Sequence, residues 1–156
     1  MENMHTCCFI GHRTIEETEE LIRRLFCTVE MLITRHGVDT FLFGSNSRFN
    51  SLCYELVTRC KEKYPYIKRI YVRAEFPVIS DDYKSYLLTH YEDTDYPPKI
   101  VGAGRAVYVE RNYEMINRSR FCVVYCKESA TPKSGTKMAL DYAIKQKKSI
   151  IRFPEV

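Results

Sequence analysis

The sequence has 156 residues, a formal net charge of +4 and 45% hydrophobic residues. These values fit one folded domain over residues 1–156 and exclude a disordered chain. No apolar stretch approaches the roughly 20 residues of a membrane-spanning helix, and the first residues do not resemble a signal peptide. We therefore expect a cytoplasmic protein without a membrane partner.

Cysteine and tyrosine are both frequent. The seven cysteines show neither Cys-x-x-Cys spacing nor a zinc-finger pattern, so we predict buried thiols and no metal site. The 12 tyrosines are interpreted as core residues rather than as a base-stacking platform. The mild positive charge suits an anionic ligand, but the sequence lacks the clustered basic stripe of a dedicated nucleic-acid binder.

Apolar runs and helical periods alternate along the chain. Residues 6–10 form an apolar run that predicts a buried strand, and Gly11 ends it. A helix is expected from Thr14, with Glu17 as its capping-box partner, to His36. A strand at 40–43, a helix at 47–62 and a strand at 67–72 follow.

Residues 78–104 have the weakest pattern. We predict a short helix at 81–88, a loop at 91–98 and a brief strand at 100–101. A helix at 105–117, an apolar strand at 121–125, a helix at 134–146 and a last strand at 149–153 complete the chain. The alternation predicts an α/β fold: a Rossmann-like three-layer sandwich whose mainly parallel sheet has helices on both faces.

Ligands of such sheets bind at the carboxyl ends of the strands, where right-handed crossovers bring the loops together. After the first strand, Gly11 allows close backbone approach, His12 can donate to a phosphate or a ribose hydroxyl, and Arg13 offers phosphate a planar fork. A turn glycine followed by two solvated polar residues is an equally weighted alternative for this loop.

Two more strand-to-helix loops contain small residues. Gly44 and Ser45 follow the second strand, where free N–H groups at a helix start can bind an anion, although a plain turn with a helix cap is the stronger interpretation for that loop alone. Ser134-Gly135-Thr136 opens the last helix, where small residues let the backbone approach a ligand and both hydroxyls can donate, with a capped helix start as the alternative. Because all three loops share one predicted edge, together they favour a phosphate site.

The helix at 105–117 carries Glu110, Arg111 and Asn112, which form either a ligand clamp or a solvated helix face. Together these segments resemble the SLOG superfamily (SMF/DprA and LOG proteins), and within it the small YpsA-like branch. The resemblance rests on Gly11-His12-Arg13, Phe49-Asn50-x-Leu52, Glu110-Arg111-Asn112-x-x-Met115-Ile116 and Ser134-Gly135-Thr136, and leaves only residues 78–104 unmatched.

The resemblance implies a Rossmann-like fold and a nucleotide, NAD or ADP-ribose derivative as ligand. Some relatives cleave nucleoside monophosphates, and others are nucleotide sensors of bacterial and phage conflict systems. The chain departs from the hydrolases, because Ala139 holds the position of their catalytic Glu and Asn50 replaces the usual Asp. Glycosidic cleavage needs a carboxylate beside an oxocarbenium-like transition state, so these losses favour binding over hydrolysis.

We therefore rank first a sensor or binding module for a nucleotide-derived phosphorylated ligand, with no other cofactor. A nucleotide N-glycosidase that uses Glu75 and Glu110 ranks second, and nucleic-acid binding, which is not expected, ranks third. Related domains often associate, which allows a homodimer. The expected ligand-binding residues are Gly11, His12, Arg13, Gly44, Ser45, Asn50, Glu110, Arg111, Asn112, Ser134, Gly135 and Thr136.

Among these residues, each glycine is expected to present a backbone N–H group to the ligand. Arg13 and Arg111 would neutralise phosphate, and the hydroxyl groups would donate hydrogen bonds to it. Asn50 and Glu110 are expected to contact a ribose or a base.

Overall fold

A computed structural model describes residues 4–154 of the chain. The strands of this part are β1 (Thr6–Gly11), β2 (Thr40–Phe43), β3 (Lys68–Val72), β4 (Asp93–Asp95), β5 (Phe121–Tyr125) and β6 (Ser149–Phe153). Its α-helices are α1 (Glu19–His36), α2 (Arg48–Lys63), α3 (Asp81–Leu87), α4 (Val107–Asn117) and α5 (Gly135–Lys145). Two short 3-10 turns, Pro98–Ile100 and Gly104–Ala106, precede α4.

The strands form one parallel sheet in the order β4-β3-β2-β1-β5-β6. Strands β2, β3 and β4 follow one another on one side of β1, and β5 and β6 lie on the other side of β1. Loops that leave β1 and β5 therefore turn to opposite faces, and the crevice between them is where ligands of doubly wound sheets bind. The predicted Rossmann-like α/β architecture is confirmed.

Each face of the sheet has its own apolar layer. Successive residues of β1 alternate between the layers, so Cys7 and Phe9 pack with α1 and α2 while Cys8 and Ile10 pack with α4 and α5. All five residues of β5 are buried, as expected for a strand covered on both faces. Six of the seven cysteines are buried and Cys27 is exposed, which agrees with cysteine acting mainly as a small apolar residue.

The first helix begins later than predicted. Its N-cap is Thr18, whose hydroxyl accepts from the backbone N–H of Leu21 at 3.0 Å, so the expected capping box at Thr14 and Glu17 is wrong. Residues before Thr18 are held differently, since the backbone N–H of Glu16 donates to the Tyr125 hydroxyl. The predicted end is correct, because Gly37 caps the helix with a φ of 68°.

The region of weakest pattern contains two further differences. The predicted brief strand at 100–101 is wrong, because Pro98–Ile100 forms a 3-10 turn. The predicted loop at 91–98 contains β4, which adds an edge strand beside β3. Two of the three residues of β4 are aspartates, which are rare in strands. The sequence pattern therefore did not indicate a strand here. None of the helices in the described part combines the length and the hydropathy needed to span a membrane.

Candidate functional site

A cleft of about 1150 Å³ opens at the carboxyl ends of the strands. It collects the loops after β1, β2 and β3 and the first residues of α5. The predicted residues that line it are Gly11, His12, Arg13, Gly44, Ser45, Asn50, Glu75, Arg111, Asn112, Ser134, Gly135 and Thr136. Glu110 does not line it and lies on the exposed face of α4, so the structure does not bring Glu110 together with the other predicted residues.

Gly11 and Gly44 are glycines for packing reasons. A Cβ atom on Gly11 would lie 2.3–2.5 Å from the Phe49 side chain, and one on Gly44 would lie 2.6 Å from the Met115 sulfur. Such distances are below van der Waals contact, so both positions exclude a side chain. Gly135 differs, because an added Cβ there would meet no atom within 4 Å. Its missing side chain leaves the start of α5 open to the cleft.

Asn50 fixes the loop after β2. Its buried side chain accepts from the N–H of Gly44 at 3.2 Å and donates to the carbonyl oxygen of Phe9 at 3.0 Å. The N–H group of Gly44 is therefore already bonded, which corrects the expectation that it is free for a ligand. Because both ends of its amide are engaged with backbone, Asn50 ties β1 to β2 instead of projecting a free group toward a ribose or base.

Exchange of Asn50 for aspartate tests this role. Asn50→Asp sets a carboxylate oxygen against the Phe9 carbonyl and should lower the free energy of unfolding by about 1–3 kcal/mol. Burial raises the carboxyl pKa above its unfolded value of about 3.9, so the unfolded state releases the proton first. The loss should therefore be greater at about pH 8 than at about pH 5 in urea titrations.

Asn46→Asp provides a matched control, because Asn46 is exposed in the same loop. It makes the same chemical change without burying a carboxylate. Equal stability losses in the two variants, or a loss in Asn50→Asp that does not change with pH, would contradict the two hydrogen bonds assigned to Asn50.

Arg111 crosses beneath the cleft. Its side chain is buried, with Nη1 donating to the carbonyl oxygens of Gly44 and Val72, and Nε donating to Asn112 Oδ1 at 3.0 Å. Burial lowers the pKa of Arg111 to about 10, and Tyr71 and Glu75 partly oppose this shift. The guanidinium therefore remains positive near neutral pH while it lies under the ends of β2 and β3.

The two helix starts at the cleft differ in what they offer an anion. At α2 the backbone N–H of Arg48 donates to the Arg13 carbonyl and that of Asn50 to the Ser47 hydroxyl. At α5 the Ser134 hydroxyl accepts from the Lys137 N–H, and Gly135 and Thr136 occupy the first helical positions, whose N–H groups have no partner within a helix. The α5 start is therefore the better anion donor of the two.

The cations at the rim are not equally available. Arg48 pairs with Glu17 and Glu55, so its charge is compensated. Arg73 is buried, and its guanidinium donates hydrogen bonds to the Thr94 hydroxyl and to the carbonyl oxygens of Phe76 and Pro77. Arg13 is exposed, and within residues 4–154 its side chain makes neither an ion pair nor a hydrogen bond. Of these three arginines, Arg13 is therefore the one whose charge has no protein partner among the described residues.

His12 is held in its neutral form. The backbone N–H of Lys127 donates to His12 Nε2 at 2.9 Å, which requires an unprotonated Nε2. Burial and the positive charge of Lys127 both lower the pKa of His12. The neutral ring keeps its proton on Nδ1, so His12 can donate that one N–H to a ligand.

This arrangement predicts a pH dependence of stability. Because the folded pKa of His12 lies below the unfolded value of about 6.5, the unfolded state binds more protons between the two values. The contribution of His12 should be complete above about pH 6.5 and decline as the pH falls toward the folded pKa. Urea titrations of the wild type and of His12→Gln, which does not titrate, isolate it. Identical pH profiles would contradict the neutral assignment.

Aromatic side chains form one wall of the cleft, and the sequence interpretation missed it. Phe76, Tyr83, Tyr86 and Tyr108 line the cleft with 60%, 37%, 59% and 49% of their surface exposed. Behind them, half-buried rings pack together: Tyr71 stacks on Tyr91 and Tyr54 tilts against it. The aromatic wall, defined as the four exposed residues, belongs to the β3–α3 loop, α3 and α4. The high tyrosine count was the only hint in the sequence. A count does not show that rings from three separate segments meet at one cleft.

The acids expected of an enzyme are poorly placed. Glu75 lines the cleft but accepts a hydrogen bond from the Tyr108 hydroxyl. Ala139, at the position of the hydrolase glutamate, is buried in α5. Asp141, a further carboxylate of α5, pairs with Lys137 and does not line the cleft.

The chain matches no protein-family model and no curated protein. Among solved structures it is similar to DNA processing protein A from Helicobacter pylori, which was described for its single-stranded DNA binding mode. The TM-score is 0.60 at 15% sequence identity, over 99% of this chain and 67% of that chain. This likeness shows the fold that the SLOG/DprA resemblance implies, whereas the YpsA-like branch is not confirmed.

The comparison overturns two expectations. We ranked a nucleotide-derived ligand first and did not expect nucleic acid, yet the structural neighbour is a protein described as binding single-stranded DNA. The reason for the error is physical: the net charge averages over the whole surface, while binding of a single strand depends on cations and exposed rings within one groove. The prediction of a nucleotide sensor is therefore wrong.

Proposed function

We propose that the chain binds single-stranded DNA across the cleft at the carboxyl ends of its strands. The observation that carries this proposal is the aromatic wall, Phe76, Tyr83, Tyr86 and Tyr108, on the same cleft as Arg13, Arg111 and the α5 start. Single strands are bound by aromatic side chains on which bases stack and by a positive groove that follows the phosphates. The cleft contains both.

The exposure of the rings supports this use. A ring that serves only the core is covered, as Phe9, Phe41 and Phe49 are. The four residues of the aromatic wall instead leave between about a third and three-fifths of their surface open. Unstacked bases would cover that surface, whereas duplex DNA keeps its bases stacked inside and cannot reach it.

The opposite wall of the cleft supplies the groups that suit phosphates. Arg13 is a free cation at the edge, and the open N–H groups of Gly135 and Thr136 lie at a helix start. Ser45 and Ser47 share a hydrogen bond at 2.9 Å on the cleft surface. The strand would thus lie with its backbone toward α5 and its bases toward α3. The neighbour's described single-stranded DNA binding supports the same polymer class.

Fluorescence anisotropy with a labelled oligothymidine tests the proposal. We expect saturable binding to the single strand, weaker binding to a duplex of equal length, and an affinity that falls with added salt as counterions are released. Arg13→Ala should weaken binding by about 1–3 kcal/mol, the scale of a charged hydrogen bond. Arg35→Ala, an exposed arginine in the last turn of α1, makes the same charge change outside the cleft and should have little effect.

Equal affinity for single strand and duplex would contradict the role of the exposed rings. Failure of the single strand to bind at low salt would contradict the proposal as a whole. Equal losses of DNA affinity in Arg13→Ala and Arg35→Ala would show that the strand does not bind at this cleft.

Three finer statements remain proposals with this function. We propose membership in the YpsA-like branch on the Gly11-His12-Arg13 and Arg111-Asn112-x-x-Met115 segments. We propose that residues 1–156 form one domain, which a single cooperative unfolding transition would support. We also propose a cytoplasmic location, which fractionation of the producing cell would test.

A further inference from the structure

Arg111 is the most buried of the charged residues that line the cleft. Only 4% of this residue is exposed, and Nε and Nη1 are both hydrogen-bonded within the protein. Nη2 has no hydrogen-bond partner among residues 4–154. Every fully buried side-chain nitrogen and oxygen in that part of the chain has a partner, so Nη2 must reach the open space of the cleft.

The charge of Arg111 is not paired. Within the described residues no carboxylate lies in ion-pair contact with it, and its hydrogen bonds go to two backbone carbonyls and an amide oxygen. Glu75, which lines the same cleft, is engaged with the Tyr108 hydroxyl. A buried cation without an anionic partner lowers stability unless something else supplies the charge. An anion bound at Nη2 would do so.

The space in front of Nη2 belongs to the cleft, and several groups surround the guanidinium that faces it. The carbonyls of Gly44 and Val72 mark the strand ends beneath the guanidinium, and the Tyr108 ring lies 6.0 Å from its central carbon. The hydrogen bond from Tyr108 to Glu75 links α4 to the β3–α3 loop beside it. We call this space the Arg111 recess. An internal phosphodiester needs two exits for its chain, whereas a terminal phosphate needs one.

We propose that the Arg111 recess binds the terminal phosphate monoester of a single strand, an inference that rests on the proposed function. A monoester carries nearly two negative charges near neutral pH, against one for an internal phosphodiester, and its free oxygens can accept from a guanidinium. The strand would enter by its end and then continue along the aromatic wall. The cleft would thereby select strand ends over uninterrupted single strands.

Competition anisotropy with oligothymidines of one length tests this inference. The competitors carry a 5′-phosphate, a 3′-phosphate, or hydroxyls at both ends, and a circular single strand has no end. We expect one phosphorylated form to compete about tenfold better than the hydroxyl form, the scale of one charged hydrogen bond. The circle should compete no better than the hydroxyl form. The better of the two phosphorylated strands identifies the end.

Arg111→Lys keeps a cation in the recess but loses the planar fork, so it should lose most of the preference for the phosphorylated end. Arg13→Ala serves as the comparison, because a rim cation should weaken all four competitors alike. Far-ultraviolet circular dichroism and a urea titration establish that Arg111→Lys is folded. Should that variant be unfolded, Tyr108→Ala, which opens the recess from its exposed side, should reduce the same preference.

The outcomes separate the two proposals. If all four competitors bind equally, single-strand binding stands and the terminal phosphate is wrong. If none binds, the proposed function fails and this inference fails with it. If the phosphorylated strand is preferred but folded Arg111→Lys keeps the full preference, the end is bound elsewhere and the recess is not its site.

Discussion

Gly11→Ala should lower the free energy of unfolding by about 3 kcal/mol, near the upper end of what overpacking a protein interior costs. The added Cβ would lie 2.3 Å from one ring atom of Phe49 and 2.5 Å from its Cβ. Rotation of the ring cannot relieve the second contact, because the Phe49 Cβ is fixed to the backbone of α2. The start of α2 must therefore move away from β1. A urea titration followed by circular dichroism measures the loss.

Gly135→Ala is the matched control for this prediction. It makes the same change at another glycine of the cleft, where no atom lies within 4 Å of the added Cβ and φ is not positive. We expect unchanged or slightly higher stability, because alanine restricts the unfolded chain more than glycine does. Equal stabilities of the two variants would mean that Phe49 does not pack against the end of β1.

The Gly11→Ala and Gly135→Ala variants also distinguish a glycine required by protein packing from a glycine that leaves space open at the cleft. The two kinds look identical in a sequence. Gly11 and Gly44 were both expected to present a backbone N–H group to a ligand, and both instead lie against protein side chains, Phe49 in the first case and Met115 with Arg111 in the second. Which neighbour fills the missing volume depends on helices that begin well after the strand. A strand-glycine-loop pattern therefore predicts the turn and its edge of the sheet but not the occupant.

The strands of the centre of the sheet could be predicted, because the apolar runs of β1, β2 and β5 are bounded by glycine or polar residues. The edge strand β4 could not, since Asp93 and Asp95 point to a loop and their pairing with β3 depends on the fold. In the sheet, Asp93 lies opposite Ile70 and Asp95 opposite Val72. Local sequence does not contain that information.

Charged residues of the site were harder to assign than its loops. Glu110 and Arg111 are adjacent in α4, yet the first is exposed outside the cleft and the second is buried beneath it. Helical periodicity places them about 100° apart but does not fix which one faces the sheet. The apolar residues that do face it, Met115 and Ile116, put Arg111 on the same side, a signal that was present one turn away.

Removal of one ring from the aromatic wall should weaken single-strand binding by about 1–3 kcal/mol, the range for one base stacked on an aromatic side chain. Phe76 is the most informative of the four. It is 60% exposed and has a φ of 59°, a left-handed backbone conformation that is strained for a bulky residue. Arg73 holds this conformation through the carbonyls of Phe76 and Pro77.

Phe76→Gly should therefore change stability and binding in opposite directions. Glycine adopts a positive φ without strain, so the free energy of unfolding should rise by about 1 kcal/mol, partly offset by the greater freedom of glycine in the unfolded chain. Oligothymidine binding should fall by about 5- to 150-fold, which corresponds to the loss of one stacked base. Urea titration and anisotropy on the same preparation measure the two effects.

Tyr66→Ala is the control for surface aromatics, because Tyr66 is also 60% exposed but does not line the cleft. It lies between α2 and β3, at the amino end of the sheet, and its loss should leave binding unchanged. A general attraction of exposed rings for DNA would weaken both variants alike. If Phe76→Gly gains stability and keeps full affinity, the strained ring serves no base, and the strand must run along another wall. A loss of affinity in Phe76→Gly but not in Tyr66→Ala, together with the expected gain in stability, would show that the strained residue serves recognition of the strand.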